Sequence, residues 1–148
     1  MSIARKNPAP ATSGYSGKSL WQKLGLKPGL RVRLSQAPDD YFSLCGFDAG
    51  QVAVTARKTG SSDFTHAFAT QRVQLERDLP NLIAGLADKG VLWISWPKKS
   101  ARAATDITED TLREIVLPLG LVDIKVCAVS EMWSALKFVR RRTNEKMR

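Results

Sequence analysis

"SDFTHAFATQRVQLERDLPNLIAGLADKGVLWIS", residues 62–95, holds the pattern that decides the fold. Its first part, 63–70, reads as a strand, with Phe64, His66 and Phe68 on one face. Over 71–88, Leu75, Leu79, Leu82, Ile83 and Leu86 recur at helical spacing and form a single apolar face. Pro80 has no N–H to give to a helix, so the spacing predicts a break or kink near Asp78. Lys89-Gly90 is the expected helix end. "VLWIS", 91–95, is then a nearly all-apolar strand, of the kind buried on both faces of a parallel sheet.

Working outward, the same alternation continues on both sides. "GKSLWQKLGLKPG", 17–29, predicts a short helix with Leu20, Leu24 and Trp21 inward, stopped by Gly25 and Pro28-Gly29. "LRVRLS", 30–35, alternates apolar residues with arginines as a half-buried strand does. A short helix opened by Pro38-Asp39 and a second strand at 51–56 follow. Beyond residue 95, "TEDTLREIVLPLG" is the clearest helix, with Thr108 as N-cap and Leu112, Ile115, Val116 and Leu119 as its buried stripe. "DIKVCAV" (123–129) and "WSALKFVRR" (133–141) predict a closing hairpin around Ser130-Glu131-Met132. Strands alternating with helices imply an α/β fold: a small three-layer Rossmann-like domain, mostly parallel, with an antiparallel C-terminal hairpin. The expected organisation is a disordered tail at 1–16, one domain at 17–141 and a basic tail at 142–148.

Composition narrows the function classes. There is no apolar run long enough to span a bilayer, and the N-terminal "MSIARKNPAPATSGYSG" has no apolar core of a secretory signal. Cys45 and Cys127 are too few for a disulfide framework, and no Cys/His cluster suggests a metal. The expectation is a reduced, cytoplasmic setting with no metal, no resident cofactor and no membrane partner. The net charge of +9 sits in the ends, since residues 20–139 hold 15 bases against 13 acids. Arg140, Arg141 and Arg142 are the candidates for nucleic-acid contact, against the plainer reading of a solvated tail.

Several phrases then resemble known proteins. "SDFTHAFATQ…LIAGLADKGVLWIS" and the closing hairpin resemble the second half of class I S-adenosylmethionine-dependent methyltransferases. Over roughly 14–142, "GYSGKSLWQKLGLKPG", "SWPKKS", "TDITEDTLREIVLPLGLVDIKVCAV" and "WSALKFVRR" look like a bacterial family catalogued as a domain of unknown function. The methyltransferase resemblance implies a glycine-rich turn after the first strand and an acid at the end of the second. Here the turn is "LSQAPDD" without glycine, "TARK" replaces the acid, and Asp48 lies nearby but in the wrong place. One strand of that fold's seven is also missing.

Ligands of open parallel sheets bind beyond the carboxyl ends of the strands. The loops expected there are 35–39, 70–71, 96–100 and 130–132. "WPKKS" supplies Trp96, Lys98, Lys99 and Ser100, joined by Ser95, Gln36 and Glu131, as candidates for a small anionic ligand or a protein partner. Arg102 and Thr105 lie on the same connection. The competing reading makes the lysines a solvated loop, His66 a packed core residue, both cysteines structural, and Asp106, Glu109 and Asp110 a helix start. Trp93 and Trp96 fall on opposite faces of a strand and form no joint platform. The favoured function is a non-catalytic binding module. Auxiliary nucleic-acid binding and a divergent methyltransferase are the alternatives.

Overall fold

The computed structural model describes residues 18–55 and 61–142, so the proposed 1–16 tail and all but Arg142 of the basic tail lie outside the described residues. The strands are β1 (Arg31–Ser35), β2 (Ala53–Thr55), β3 (Ser62–Phe68), β4 (Leu86–Pro97), β5 (Leu121–Ala128) and β6 (Trp133–Arg140). The helices are α1 (Leu20–Leu24), α2 (Tyr41–Cys45), α3 (Arg72–Ala84) and α4 (Glu109–Val116). Together the strands form one sheet of order β2-β1-β3-β4-β6-β5. β1 to β4 run parallel, and β6 is antiparallel to both of its neighbours. The expected α/β architecture with an antiparallel C-terminal hairpin is therefore present. β2 leads into β3 with no strand between them among the described residues. No described helix is long and apolar enough to cross a membrane.

Each face of the sheet has its own core. Leu75, Leu79 and Leu82 of α3 and Leu112, Ile115 and Val116 of α4 pack on one face with Leu92, Ile94 and Trp96. Leu24, Tyr41 and Cys45 from α1 and α2 pack on the other with Phe64, Phe68 and Trp93. Trp93 and Trp96 thus point to opposite faces, as strand geometry requires. The buried Trp93 indole N–H donates to the Leu24 carbonyl at 2.9 Å, which fastens the end of α1 to the central strand. Gly25 then turns the chain at φ +88°, a conformation that favours glycine, with its N–H on the Trp21 carbonyl.

Two expectations around α3 are corrected. The helix runs unbroken through Pro80, because Leu75, Leu79 and Leu82 hold one buried stripe whose packing outweighs a single missing hydrogen bond. It also ends at Ala84, not at Lys89-Gly90. The Ser62 N–H donates to the Gly85 carbonyl at 2.7 Å and Leu86 pairs with Ser62, so the chain joins the sheet as soon as it leaves the helix. Gly90 is then a close-approach residue inside β4: a Cβ there would lie 2.7 Å from the Ser62 carbonyl oxygen. α4 is as expected. Thr108 caps it through the Thr111 N–H at 3.1 Å, and a short 3₁₀ turn, Leu117–Leu119, carries the chain past Pro118.

Candidate functional site

The parallel strands deliver Ser35, Thr55, Phe68 and Pro97 to one edge, where the β5–β6 turn also lies. Three of the four expected loops are joined there by hydrogen bonds. The Lys98 N–H donates to the Met132 carbonyl at 2.8 Å, the Thr105 hydroxyl to the Thr70 carbonyl at 2.7 Å, and the Ala69 N–H to the Ser95 carbonyl at 3.0 Å. Asp106, expected only as part of a helix start, accepts from the Arg72 N–H at 2.7 Å and so ties the same connection to α3.

This connection walls a cleft of about 780 Å³, lined by Trp96, Pro97, Lys98, Lys99, Ala103, Thr105, Ile107, Thr108, Glu109, Asp110 and Arg113. Of the sequence candidates, Trp96, Lys98 and Lys99 meet in it. Ser100 is exposed on the neighbouring 3₁₀ turn, and Gln36 and Glu131 are exposed on other loops outside its lining. Sequence reasoning missed Ile107, Thr108 and Arg113 as walls. One signal was legible: Glu109 and Arg113 are four apart on a helix, the spacing of an ion pair. Arg113 does bind Glu109, and also Asp110 at 3.2 Å and Asp123 at 3.0 Å. The Glu109 and Asp123 carboxylates hold its guanidinium well above its ordinary pKa.

Ser95 goes elsewhere. It is fully buried, and its hydroxyl lies 2.7 Å from His66 Nε2, while the Tyr41 hydroxyl lies 2.8 Å from Nδ1. The side-chain alternation of β4 turns Ser95 to the face opposite Trp96, beneath α2 rather than into the cleft. Neutral imidazole has one donor and one acceptor nitrogen, so the two hydroxyls satisfy it completely. His66 stacks on Phe68 at 4.4 Å, and burial pushes its pKa down to about 3. The chain Tyr41–His66–Ser95 sets a serine on a histidine, but its third member is a tyrosine and not a carboxylate, and all three are sealed from water and serve the core. Burial also pushes the Cys45 thiol up to about 12 and raises Cys127, leaving both free cysteines as poor nucleophiles.

The arginines proposed for nucleic acid divide. Arg140 Nη2 donates to the Ile83 and Leu86 carbonyls at 2.8 and 2.6 Å, closing the α3–β4 junction. The Arg141 N–H donates to the Gly120 carbonyl and its guanidinium reaches the Leu117 carbonyl. Arg142 is exposed. A second basic region escaped the count of charges along the chain. Lys125 and Lys137 are cross-strand partners on the α1 side of the sheet, and Lys125 Nζ donates to the Lys23 carbonyl at 3.3 Å. Like charges opposed across strands repel. Burial lowers the Lys137 pKa, and the charges of Lys125 and Lys27 lower it further.

At the end of β1 the glycine-free turn keeps an unusual backbone. Gln36 is exposed and held at φ +56°, in the left-handed region that glycine ordinarily fills. Asp39 and Asp40 follow it, both exposed. Asp48 is spent on its own turn, accepting from the Gly50 N–H at 2.9 Å.

No protein-family profile matches this chain, and no curated protein matches it. Solved structures do. A putative type 11 methyltransferase from Sulfolobus solfataricus is similar with a TM-score of 0.60 at 14% identity, covering 84% of this chain and 91% of its own. A TehB-like SAM-dependent methyltransferase from Corynebacterium glutamicum gives 0.54 at 12%, over 81% and 85%. LepI in complex with SAM gives 0.52 at 12%, over 82% of this chain and 39% of its own. Identities this low speak for the fold alone, and the fold is the methyltransferase-like Rossmann type.

Proposed function

We propose that this protein is a divergent S-adenosylmethionine-dependent methyltransferase, with its cofactor at the β1–β3 carboxyl edge. The observation that carries the reading is the turn after β1. It contains no glycine, yet Gln36 adopts the left-handed backbone at the position where such a turn is needed. A non-glycine residue held there costs free energy, and such strain clusters at functional sites. The sheet order, with its reversed last strand pair, supports the same reading.

The residues present fit the cofactor in an altered arrangement. The Ser35–Asp40 turn would hold it, and Asp39 or Asp40 would accept from the ribose hydroxyls in place of the missing acid after β2. Bound there, the cofactor supplies an electrophilic methyl group. What the chain itself contributes is position: a rigid strand end at β1, a floor of Phe68 packed edge-on to Trp133 at 5.0 Å, and an adjacent cleft. Calorimetry with S-adenosylmethionine and S-adenosylhomocysteine tests the reading, beside a D39A/D40A variant. Binding by the parent and loss in the variant support it. Absence of heat with both compounds refutes it.

One observation favours a second reading, a non-catalytic module that binds a small anion. Lys98 and Lys99 have no acidic partner among the described residues, and the two features most tied to the cofactor, glycines and the β2 acid, are absent. Anion binding without cofactor binding is its signature.

A further inference from the structure

We infer that the cleft between the carboxyl end of β4 and the start of α4 binds a small ligand carrying one carboxylate or phosphate on an apolar body. The charged group lies between Lys98 and Lys99, and the body lies against Trp96 and Ile107.

The charges facing the cleft are not equivalent. Glu109 and Asp110 are both engaged by Arg113, and the Asp110 side chain is 93% exposed, so it belongs to the rim. The two lysines have no such partner among the described residues. An anion entering the cleft therefore meets two lysine ammonium groups on one wall and, on the other, Glu109 and Asp110, which share the single charge of Arg113 with Asp123.

The two tryptophans of β4 make the second argument. Trp93 is buried and its N–H is satisfied by Leu24. Trp96 is 8% exposed and lines the cleft, and its indole N–H, which has no acceptor among the described residues, is open to solvent. A ligand oxygen in the cleft would supply one, and a carboxylate or phosphate has oxygens for both the lysines and the indole. Of the remaining lining, Pro97, Ala103 and the buried Ile107 are apolar, while the Thr105 and Thr108 hydroxyls are engaged with the Thr70 carbonyl and the Thr111 N–H.

The cleft is also preformed. Thr105 on its wall is fixed by donating to the Thr70 carbonyl while accepting from the Ile107 N–H at 3.1 Å, and the Lys98 N–H is tied to the Met132 carbonyl. Arg102 sits at φ +56°, turning the loop back toward α4. Fixed walls lower the ordering cost of binding. About 780 Å³ accommodates a ligand of one or two rings.

Binding in this cleft stands without the cofactor. Its role as the methyl acceptor's seat rests on the proposed methyltransferase reading. The test titrates benzoate, phenyl phosphate, inorganic phosphate and the neutral benzyl alcohol into the cofactor-free protein by calorimetry. Parallel titrations use K98Q/K99Q, W96F and, as a distant control, K89Q. Benzoate or phenyl phosphate is expected to bind more tightly than benzyl alcohol and inorganic phosphate. Charge-assisted bonds of this kind make K98Q/K99Q weaker by roughly tenfold or more. W96F keeps the ring and removes the N–H, so it weakens binding less; K89Q changes nothing. Equal binding by the parent and K98Q/K99Q, or benzyl alcohol binding as tightly as benzoate, overturns the inference, as does no binding of any probe. D39A/D40A separates the two readings: it abolishes cofactor binding and leaves benzoate binding unchanged. Anion binding by a protein that ignores S-adenosylmethionine removes the methyltransferase reading and leaves the cleft.

Discussion

Acidification from about pH 7.5 to about pH 5 should cost this protein about 2 kcal/mol of stability, through His66 alone. It is the only histidine in the chain, so no other imidazole contributes to that window. In the fold its pKa is pushed down to about 3 by burial, against 6.5 for the free side chain. The sign follows from that direction. Below about pH 6.5 the unfolded chain takes up a proton that the folded chain refuses, so stability is full above that pH and falls as the pH drops toward about 3. The slope approaches about 1.4 kcal/mol per pH unit. Protonation would also leave the ring with two donors, so whichever hydroxyl now donates to it would be left facing an N–H. Urea unfolding at a series of pH values reads the effect as a midpoint drop of about 1 M. A parallel NMR titration of the single imidazole should show it neutral to about pH 5. A flat stability profile across the window, or an imidazole titrating near its free value, refutes the sealed Tyr41–His66–Ser95 chain.

Two further substitutions probe the frame. Gly90→Ala drives a Cβ to 2.7 Å from the Ser62 carbonyl oxygen, and because that neighbour is backbone, the expected loss is about 1–3 kcal/mol in thermal unfolding. An unchanged melting temperature would mean that β3 and β4 can separate there freely. Arg140→Met keeps the apolar stem and strips the donors from the Ile83 and Leu86 carbonyls, so it should destabilise by about 2 kcal/mol. Measured beside it, binding of duplex DNA should change little for this variant. A lost DNA affinity with unchanged stability would return Arg140 to the role of a phosphate contact.

The fold was legible because its signals are periodic and redundant. "VLWIS" could hardly be anything but a central strand, and the stripe of α4 with Thr108 before it marks both its face and its start. What escaped was decided by contacts distant in sequence. "LADKG" looks like the tail of a helix until Ser62 is brought alongside, and Pro80 looks like a break until the packing of Leu79 and Leu82 is known. The site was half legible for a similar reason. Trp96, Lys98 and Lys99 share a loop and could be read together, whereas Ile107 and Arg113 reach the cleft only through the fold. Ser95 was misplaced by one step of strand alternation: a residue adjacent to the cleft in sequence points away from it in space.

The position of β6 has a consequence for how the chain is made. Residues 133–140 are made after both β4 and β5 but lie between them in the sheet. Until they emerge from the ribosome, β4 presents an open backbone edge along its most apolar stretch, and β5 has no strand to pair with. A nascent chain in that state is an invitation to pair with its neighbours on a polysome. Only β6 satisfies both of these edges, since it pairs with β4 on one side and β5 on the other. A stalled or truncated product missing that strand would therefore be a target for chaperones or proteases, not a slightly shortened protein.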